Sequence, residues 1–527
     1  MLLTGENRSQ LQMMCLEESV ALDSYVRVVD AFVDYLSLSS LGFVEKGKSN
    51  EGRPAFASES LLKLYYYGYL NRVRSSRRLE REVRTNIEAI WLMKGLRPCY
   101  KTISDFRKVN SRALKKAFQQ LNRFLKSEGL LSDFVVAVDG SKFRGQNSKK
   151  NNYNEKKVKN HLGYIDRQVE KYLQELDELD QKESEADGDV ENRLSIAESL
   201  EELKDRRTKY ERLEEQVKAA HDQGITQIST TDPDARALPK RMMQVEVGYN
   251  VVITAERENK LITNYETTNE HDTYALSKAA RKAKVVLGVG EEKCLKVLAD
   301  KGFDTGLELK KCSENNIETI VAPKKRVSTK KEAGFNKSQF AYEPDQDVYI
   351  CPAGEHLTTN GKWYDRNKGK KLRKSYRIKV YKLPFAVCNN CEHRLSCAGA
   401  GKLNQRHGKD IQRTEYDDYV DDNIDRATFY KELYRERQAI VEHPFGTIKR
   451  GWGYDCTLLK TQPKVSGEFG IIFTIYNIRR AITIFGVAEL VKRLKEACAV
   501  YFLVNMVDLG AIWRRINFRR KVVFLRI

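Results

Sequence analysis

A mixed α/β fold with a central sheet, preceded by an all-helical region, is the class this chain predicts, and three observations carry it. Residues 58–126 hold three segments with apolar residues at three- and four-residue spacing: SESLLKLYYYGYL, SSRRLEREVRTNIEAIWLM and TISDFRKVNSRALKKAFQQLNRFLK. Short β-branched runs then alternate with helical ones in the order strands, helix, strand, helix, strand, which a sheet covered by helices requires. At 527 residues the chain is also too long for one core, so two to four domains are expected.

Within the helical region, a hydroxyl residue stands ready to cap each segment: Ser58, Ser75 or Ser76, and Thr102 or Ser104. GKSNEGRP (Gly47–Pro54) before it reads as a linker. The second helix carries Arg77, Arg78, Arg81 and Arg84. Arg77, Arg81 and Arg84 follow one another at four- and three-residue spacing, apart from the apolar Leu79, Val83, Ile87 and Ile90. Such a stripe suits a phosphate backbone, and equally a solvated basic face.

FVVAVDG (Phe134–Gly140) is a short apolar run ending in an acid, the pattern of a buried strand delivering a carboxylate. Residues 165–220 change character. Val169, Tyr172, Leu173, Leu176 and Leu179 form one apolar stripe, and Ile196, Leu200, Leu203, Tyr210, Leu213 and Val217 another. The polar break at Asp187–Asp189 folds them into an antiparallel helical hairpin. After TTDPDAR come the strand-like QVEVGYNVVITAE and LITNYETTN, the helix DTYALSKAARKAKVVLG, and the strands KVLAD and ETIVAP. A Lys- and Cys-dense region fills 325–415. The last third is helical around YKELYRERQAIVEHPFGTIKRGWGY.

Composition narrows the function. The chain is 41% hydrophobic and 31% charged, with 93 Lys and Arg against 73 acids, a formal charge of +20. That excess favours a polyanionic partner, nucleic acid first and an anionic membrane surface second, with a merely basic enzyme as the bland alternative. The apolar stretches Phe469–Ile478 and Ala497–Val507 are too short to span a bilayer, which takes roughly 20 apolar residues. Met1 to Asn50 lacks the basic start and apolar core of a secretory signal, so a cytoplasmic protein is expected. Ten cysteines in that setting point to free thiols and a metal site, not a disulfide framework.

An acid at the end of a buried strand is expensive to keep charged unless a metal or a base needs it. The chain does this twice, at Asp139 in VAVDG and Asp300 in VLADKGF. A third acid, Glu442, lies in a helix amid Arg435, Arg437, Lys449 and Arg450. Three converging carboxylates suit two Mg²⁺ ions roughly 3.5–4 Å apart, whereas two strand-end acids alone would equally fit a Rossmann-type or hydrolase site.

Through these residues the sequence resembles the DDE transposases of bacterial insertion sequences, of the ribonuclease-H-like type with a Tyr-Arg-Glu-Lys signature. The resemblance runs from about Arg53 to Arg480. It includes GRPAFASESLLKLYYYGYLNRVRSSRRLE, TISDFRKVN, VAVDGSKF, LADKGF, YRERQAIVEHPFGTIKR and VSGEFGIIFTIYNIRR. It implies Asp139, Asp300 and Glu442 as catalytic metal ligands, with Asp304 in reserve for the second acid. Tyr434, Arg437, Glu442 and Lys449 carry the signature, with four residues between Arg437 and Glu442 where the commonest form has three. On a continuous helix Arg435, Glu442 and Lys449 would share a face, which leaves open which arginine meets DNA. Asp232 and Asp234 in TTDPDAR read as a capping turn.

The activity so implied is metal-dependent DNA cleavage and strand transfer at the element's ends: water attacks the phosphodiester, and the freed 3′-hydroxyl attacks target DNA. Two Mg²⁺ (or Mn²⁺) ions per site are expected, with Arg437 and Lys449 on phosphates near the cut. The rival readings are a catalytically inactive or repurposed DNA-binding protein and a nuclease without strand transfer.

Cys351, Cys388, Cys391 and Cys397 have the ligand count of a structural Zn²⁺ site, with His393 or His407 as substitutes. Reduced buried thiols are the other reading. The expected organisation is an N-terminal segment (1–52) and a helical DNA-binding domain (53–130). The ribonuclease-H-like core occupies 131–160 and 226–324, interrupted by the hairpin (161–225). A Lys/Cys-rich insertion (325–415), core helices with Glu442 (416–490) and a basic tail (491–527) follow. Expected partners are double-stranded DNA, as element ends and target, and further copies of the chain in a homodimer or higher assembly on it. No membrane is expected, and the location is the cytoplasm, at the nucleoid.

Overall fold

The run FVVAVDG forms the centre of the sheet, in a strand longer than its apolar part. β1 spans Val135–Arg144. The structure is a computed structural model that describes residues 15–45, 54–181, 188–239, 245–324, 335–369, 374–394, 397 and 408–499. Most of the predicted linker, His407 and the tail beyond residue 499 lie outside the described residues.

On one side of β1, the strand β2 (Val245–Glu256) runs antiparallel, with Val136 opposite Glu256 and Arg144 opposite Gly248. The strand β3 (Ile262–Thr268) pairs antiparallel with β2. On the other side, β4 (Leu295–Ala299) runs parallel to β1, and β5 (Ile317–Val321) parallel to β4. The order β3-β2-β1-β4-β5, with the short strand Arg236–Pro239 as sixth member pairing antiparallel with the start of β2, is antiparallel on one flank and parallel on the other, a ribonuclease-H-like sheet. Both parallel strands are almost wholly buried, as strands covered on two faces must be.

The N-terminal helices are α1 (Tyr25–Tyr35), α2 (Ser58–Leu70), α3 (Ser76–Thr85), α4 (Tyr100–Val109) and α5 (Ser111–Ser127). Two segments that read as single helices are each broken at an asparagine. Asn86 is extended (φ −102°, ψ 123°), and its side chain accepts from the N–H groups of Glu88 and Ala89 to start the short helix Ile87–Leu92. Asn110 turns between α4 and α5 while its Oδ1 accepts from the N–H of Val44. An asparagine can replace helical backbone bonds with its own side chain, so apolar periodicity continues past a real break. The predicted hydroxyl caps are not used: Ser58 and Ser75 make no capping bond, and α4 begins before Thr102.

These helices share one apolar core with the sheet, continuous from Val20 to Leu494. The link is the long helix α12, which spans Gln462–Phe485 and packs along α5. The two approach closely because a Cβ on Gly467 would lie 2.6 Å from Ser111 Cα, and one on Gly470 2.9 Å from the Leu114 carbonyl oxygen. Polar groups complete the junction. Asn122 donates to the carbonyls of Ile262 and Thr263, and Asn477 donates to Asn122. Fully buried Glu468 receives Arg74 at 2.6 Å, Tyr69 Oη at 3.2 Å and the N–H groups of Leu458 and Leu459.

Between β1 and β2 the hairpin α6 (Glu155–Gln181) and α7 (Gly188–Asp222) forms as expected, anchored at its base by Tyr153, Val158, Leu213 and Val217. The helices α8 (Leu276–Leu287) and α9 (Gly306–Ser313) alternate with β4 and β5. The Lys- and Cys-dense region contains an antiparallel five-stranded sheet with strands β6 (Ala341–Glu343), β7 (Val348–Ile350), β8 (His356–Arg366), β9 (Tyr376–Lys382) and β10 (Asp410–Thr414). Along β8 nearly every side chain is exposed, so no alternation marked it in the sequence. The helices α10 (Asp417–Phe429) and α11 (Lys431–Phe445) then lead to α12. No single described helix is long and apolar enough to cross a membrane.

Candidate active site

Strand alternation sets the site. Val135 and Ala137 of β1 pack with Leu298 of β4 and with Ile440 and Val441 of α11, so these odd positions of β1 face that helix. Asp139 keeps the parity of Ala137, and Asp300 that of Leu298. The parallel register puts Val138 opposite Ala299, and one step further it sets Asp139, midway along β1 and not at its end as the sequence suggested, beside Asp300 just past the end of β4.

Asp139 Oδ1 accepts from the N–H of Gly140 at 2.8 Å, and Asp300 Oδ1 from that of Gly302 at 2.8 Å. Among the described residues neither forms an ion pair. Burial first, then the negative charges of Asp300 and Asp272, push Asp139 up to about 6, against lowering by the Gly140 N–H and Arg437. Two adjacent carboxylates outside any ion pair, one of them desolvated, are a donor set that fits a divalent cation.

The helix α11 brings Tyr434 and Arg437 to this pair, with the guanidinium 5.9 Å from the Tyr434 ring centre. Burial raises the Tyr434 hydroxyl, opposed by Arg437 and helped by the charges of Asp300 and Asp139. Glu442 lies about 100° round the helix from the sheet-facing Val441. It is exposed and accepts from Gln438 Nε2 at 2.8 Å. Among the described residues no three Asp, Glu, His or Cys side chains are gathered to hold a metal ion, so Glu442 is not drawn in to the aspartates here.

Two transposase family models match the chain: a transposase domain (DUF772) over residues 14–109 and the transposase DDE domain over residues 226–478, together more than half of it. The chain belongs to the DDE transposases. It is of the insertion-sequence type, an enzyme of DNA transposition from a family that works with divalent metal ions. A solved piggyBac transposase synaptic complex with hairpin DNA is similar at 8% identity and a TM-score of 0.29, over 90% of this chain and 79% of that one. A comparison with curated proteins finds no match.

In this transposase the signature residues do not share one helical face. The helix α11 passes into a π-helical turn at Gly446–Gly451, which breaks the continuity that would have aligned Arg435, Glu442 and Lys449. Arg435 is exposed and paired with Glu432 at 2.7 Å. Lys449 Nζ donates to the Lys142 carbonyl at 2.6 Å and lies 4.1 Å over the Phe143 ring, tying α11 to β1. Asp304 is buried and accepts from the N–H of Lys324 at 2.8 Å, away from the pair's chemistry. Asp232 and Asp234 receive the N–H groups of Thr461 and Gln462 at 3.0 and 2.8 Å, holding the start of α12.

Elsewhere on the transposase, Arg77, Arg81 and Arg84 are exposed along α3 while Leu79 and Val83 are fully buried. Arg84 pairs with Glu80 at 3.3 Å, and Arg77 stacks 5.2 Å over Tyr100. Cys351, Cys388, Cys391 and Cys397 line one cavity of about 30 Å³ beside His393. The N–H groups of Glu355 and Lys409 donate to the sulfurs of Cys351 and Cys388 at 3.3 Å each. Burial raises the Cys397 thiol, as do its three cysteine neighbours, against lowering by Lys409. Sequence reasoning missed Asp272, which the fold sets against Gly140. Its only local signal is the run NEHD before a helix.

Proposed function

We propose that the transposase cuts and rejoins phosphodiester backbones at a centre formed by Asp139, Asp300 and Glu442. The observation that supports this most is the side-by-side placement of half-buried Asp139, midway along β1, and Asp300, just past the end of β4, with neither in an ion pair among the described residues. Glu442 is assigned as third ligand by its position in the Tyr-Arg-Glu-Lys pattern on the helix that covers the pair. Two Mg²⁺ or Mn²⁺ ions bound there would polarise the attacking oxygen and stabilise the leaving one. Asp139 and Asp300 orient those ligands from a rigid sheet, and Arg437, backed by Tyr434, offers a cation to the phosphate beside the cut. Lys449 holds α11 against β1, which keeps Arg437 over the pair.

Water attack at the element's ends followed by attack of the freed 3′-hydroxyl on target DNA is the reaction we assign. Double-stranded DNA meets the exposed arginines Arg77, Arg81 and Arg84, and the transposase works at the nucleoid in the cytoplasm as a homodimer or larger assembly. The four cysteines would hold one structural Zn²⁺ on closing round it: they line one small cavity, although among the described residues no three are gathered for an ion there, and two of the sulfurs already accept backbone N–H bonds. The test is single substitution. Asp139→Ala, Asp300→Ala and Glu442→Ala should each abolish Mg²⁺-dependent cleavage of end-containing DNA while leaving binding intact, and near-wild-type cleavage removes that residue from the centre.

A further inference from the structure

On the side of β1 away from Asp139, two oxygen acceptors approach the backbone at Gly140. Asn250 of β2 is fully buried, and its Oδ1 has no hydrogen-bond partner. The orientation of its amide is set by Nδ2, which donates to the Glu270 carbonyl at 3.3 Å. Turning it over would press oxygen against that carbonyl. Asp272, in the 3₁₀ turn Asp272–Tyr274 that precedes α8, brings its carboxylate to the same place. A Cβ on Gly140 would lie 2.6 Å from Asp272 Oδ2 and 3.2 Å from Asn250 Oδ1. Glycine at that strand position is what lets both oxygens approach the backbone next to Asp139.

Two acceptors brought to the same backbone position, one of them buried and orphaned, call for a positive charge beside them. Burial raises the Asp272 carboxyl and the charge of Asp300 adds to it, while Lys142 opposes them, and Asp272 in turn raises Asp139. Carboxylate and amide oxygens without nitrogen or sulfur are the donors that hard divalent cations select. We propose that Asp272 and Asn250 form a divalent-cation subsite of their own across Gly140, separate from the ions assigned to Asp139, Asp300 and Glu442. A cation held there lies beside the strand that carries the first aspartate and neutralises charge that would otherwise repel incoming phosphate.

The experiment is Mn²⁺ titration of the full-length protein by calorimetry and by electron paramagnetic resonance of free Mn²⁺, with no DNA present. Asp272→Asn should remove one class of bound ion or weaken it about tenfold or more, with the other class kept. Gly140→Ala, whose new methyl must displace Asp272, should weaken the same class. Asp139→Asn with Asp300→Asn should lose the other class and retain this one. Unchanged stoichiometry and affinity in Asp272→Asn overturn the subsite, leaving a shared proton or a bridging water between the two oxygens. Loss of nothing in the Asp139/Asp300 variant overturns the separate assignment of the catalytic pair. Metal-free melting confirms folding of each variant, and if Asp272→Asn does not fold, Gly140→Ala carries the same decision.

Discussion

Replacing Asp139 by Asn should make the metal-free protein more stable and the Mg²⁺-loaded protein less so. The fold forces a desolvated carboxylate beside Asp300 and raises it from the ordinary 3.8 to about 6. Each tenfold change in proton affinity is worth about 1.4 kcal/mol, so the charged form costs up to about 3 kcal/mol in the folded state. The sign follows. A raised carboxylate gives its full stability below about pH 4, and that stability is lost as pH rises through about 6. The asparagine variant, uncharged throughout, should match wild type below pH 4 and exceed it above pH 6. Unfolding entropy near 2.1 cal/mol/K per residue gives about 1 kcal/mol/K for a chain of this length, so the gain is at most about 3 °C in Tm. Scanning calorimetry with a chelator at pH 4 and pH 8, then at pH 8 with Mg²⁺, reads all of it. Saturating Mg²⁺ should raise wild type by mass action at both classes of site and the variant only through the Asp272 subsite, reversing their order. An equal shift at both pH values, or a variant less stable than wild type at pH 8 with chelator, would refute the reasoning.

Glu468→Ala should destabilise by about 3–5 kcal/mol, because it strands the buried Arg74 and Arg107 guanidinium groups without their carboxylate, and chemical denaturation would measure it. Protein purified without chelator should carry one zinc per chain by elemental analysis, and Cys388→Ser should lose it; metal-free wild type would eliminate the cysteine site. Charge reversal at Arg77 and Arg81 should weaken binding to end-containing DNA and flatten its salt dependence, since each phosphate contact contributes to that slope. Unchanged binding isotherms across a salt series would move end recognition elsewhere.

Aspartates carried by buried strands were legible in the sequence because such a strand writes its pattern locally, an apolar β-branched run and then an acid, although β1 runs on past Asp139 to Arg144. VAVDG and VLAD are two such runs, and the period of two already implied that each acid shares a face with its strand's apolar residues. The sheet order was not written there, nor was the pairing of these two strands, since both depend on contacts more than 150 residues apart in the chain. The exposed strand β8 left no periodic trace either, because water covers most of its side chains.

What the sequence determined by itself was the set of elements and the residue types they carry: helices first, two acids on buried strands, a third on a late helix, and four cysteines in the number a metal site takes. Tertiary structure alone decided which of those groups meet. It set Asp139 beside Asp300 through parallel register, and turned Glu442 to solvent because Ile440 and Val441 take the sheet-facing side of α11. It broke the predicted face of Arg435, Glu442 and Lys449 with a π-helical turn. It also brought Asp272 onto Gly140, a contact that exists because glycine leaves room for an oxygen where any side chain would collide. Local pattern fixes which face a residue takes within its own element, while neighbours across the fold are chosen by packing, and that choice is global.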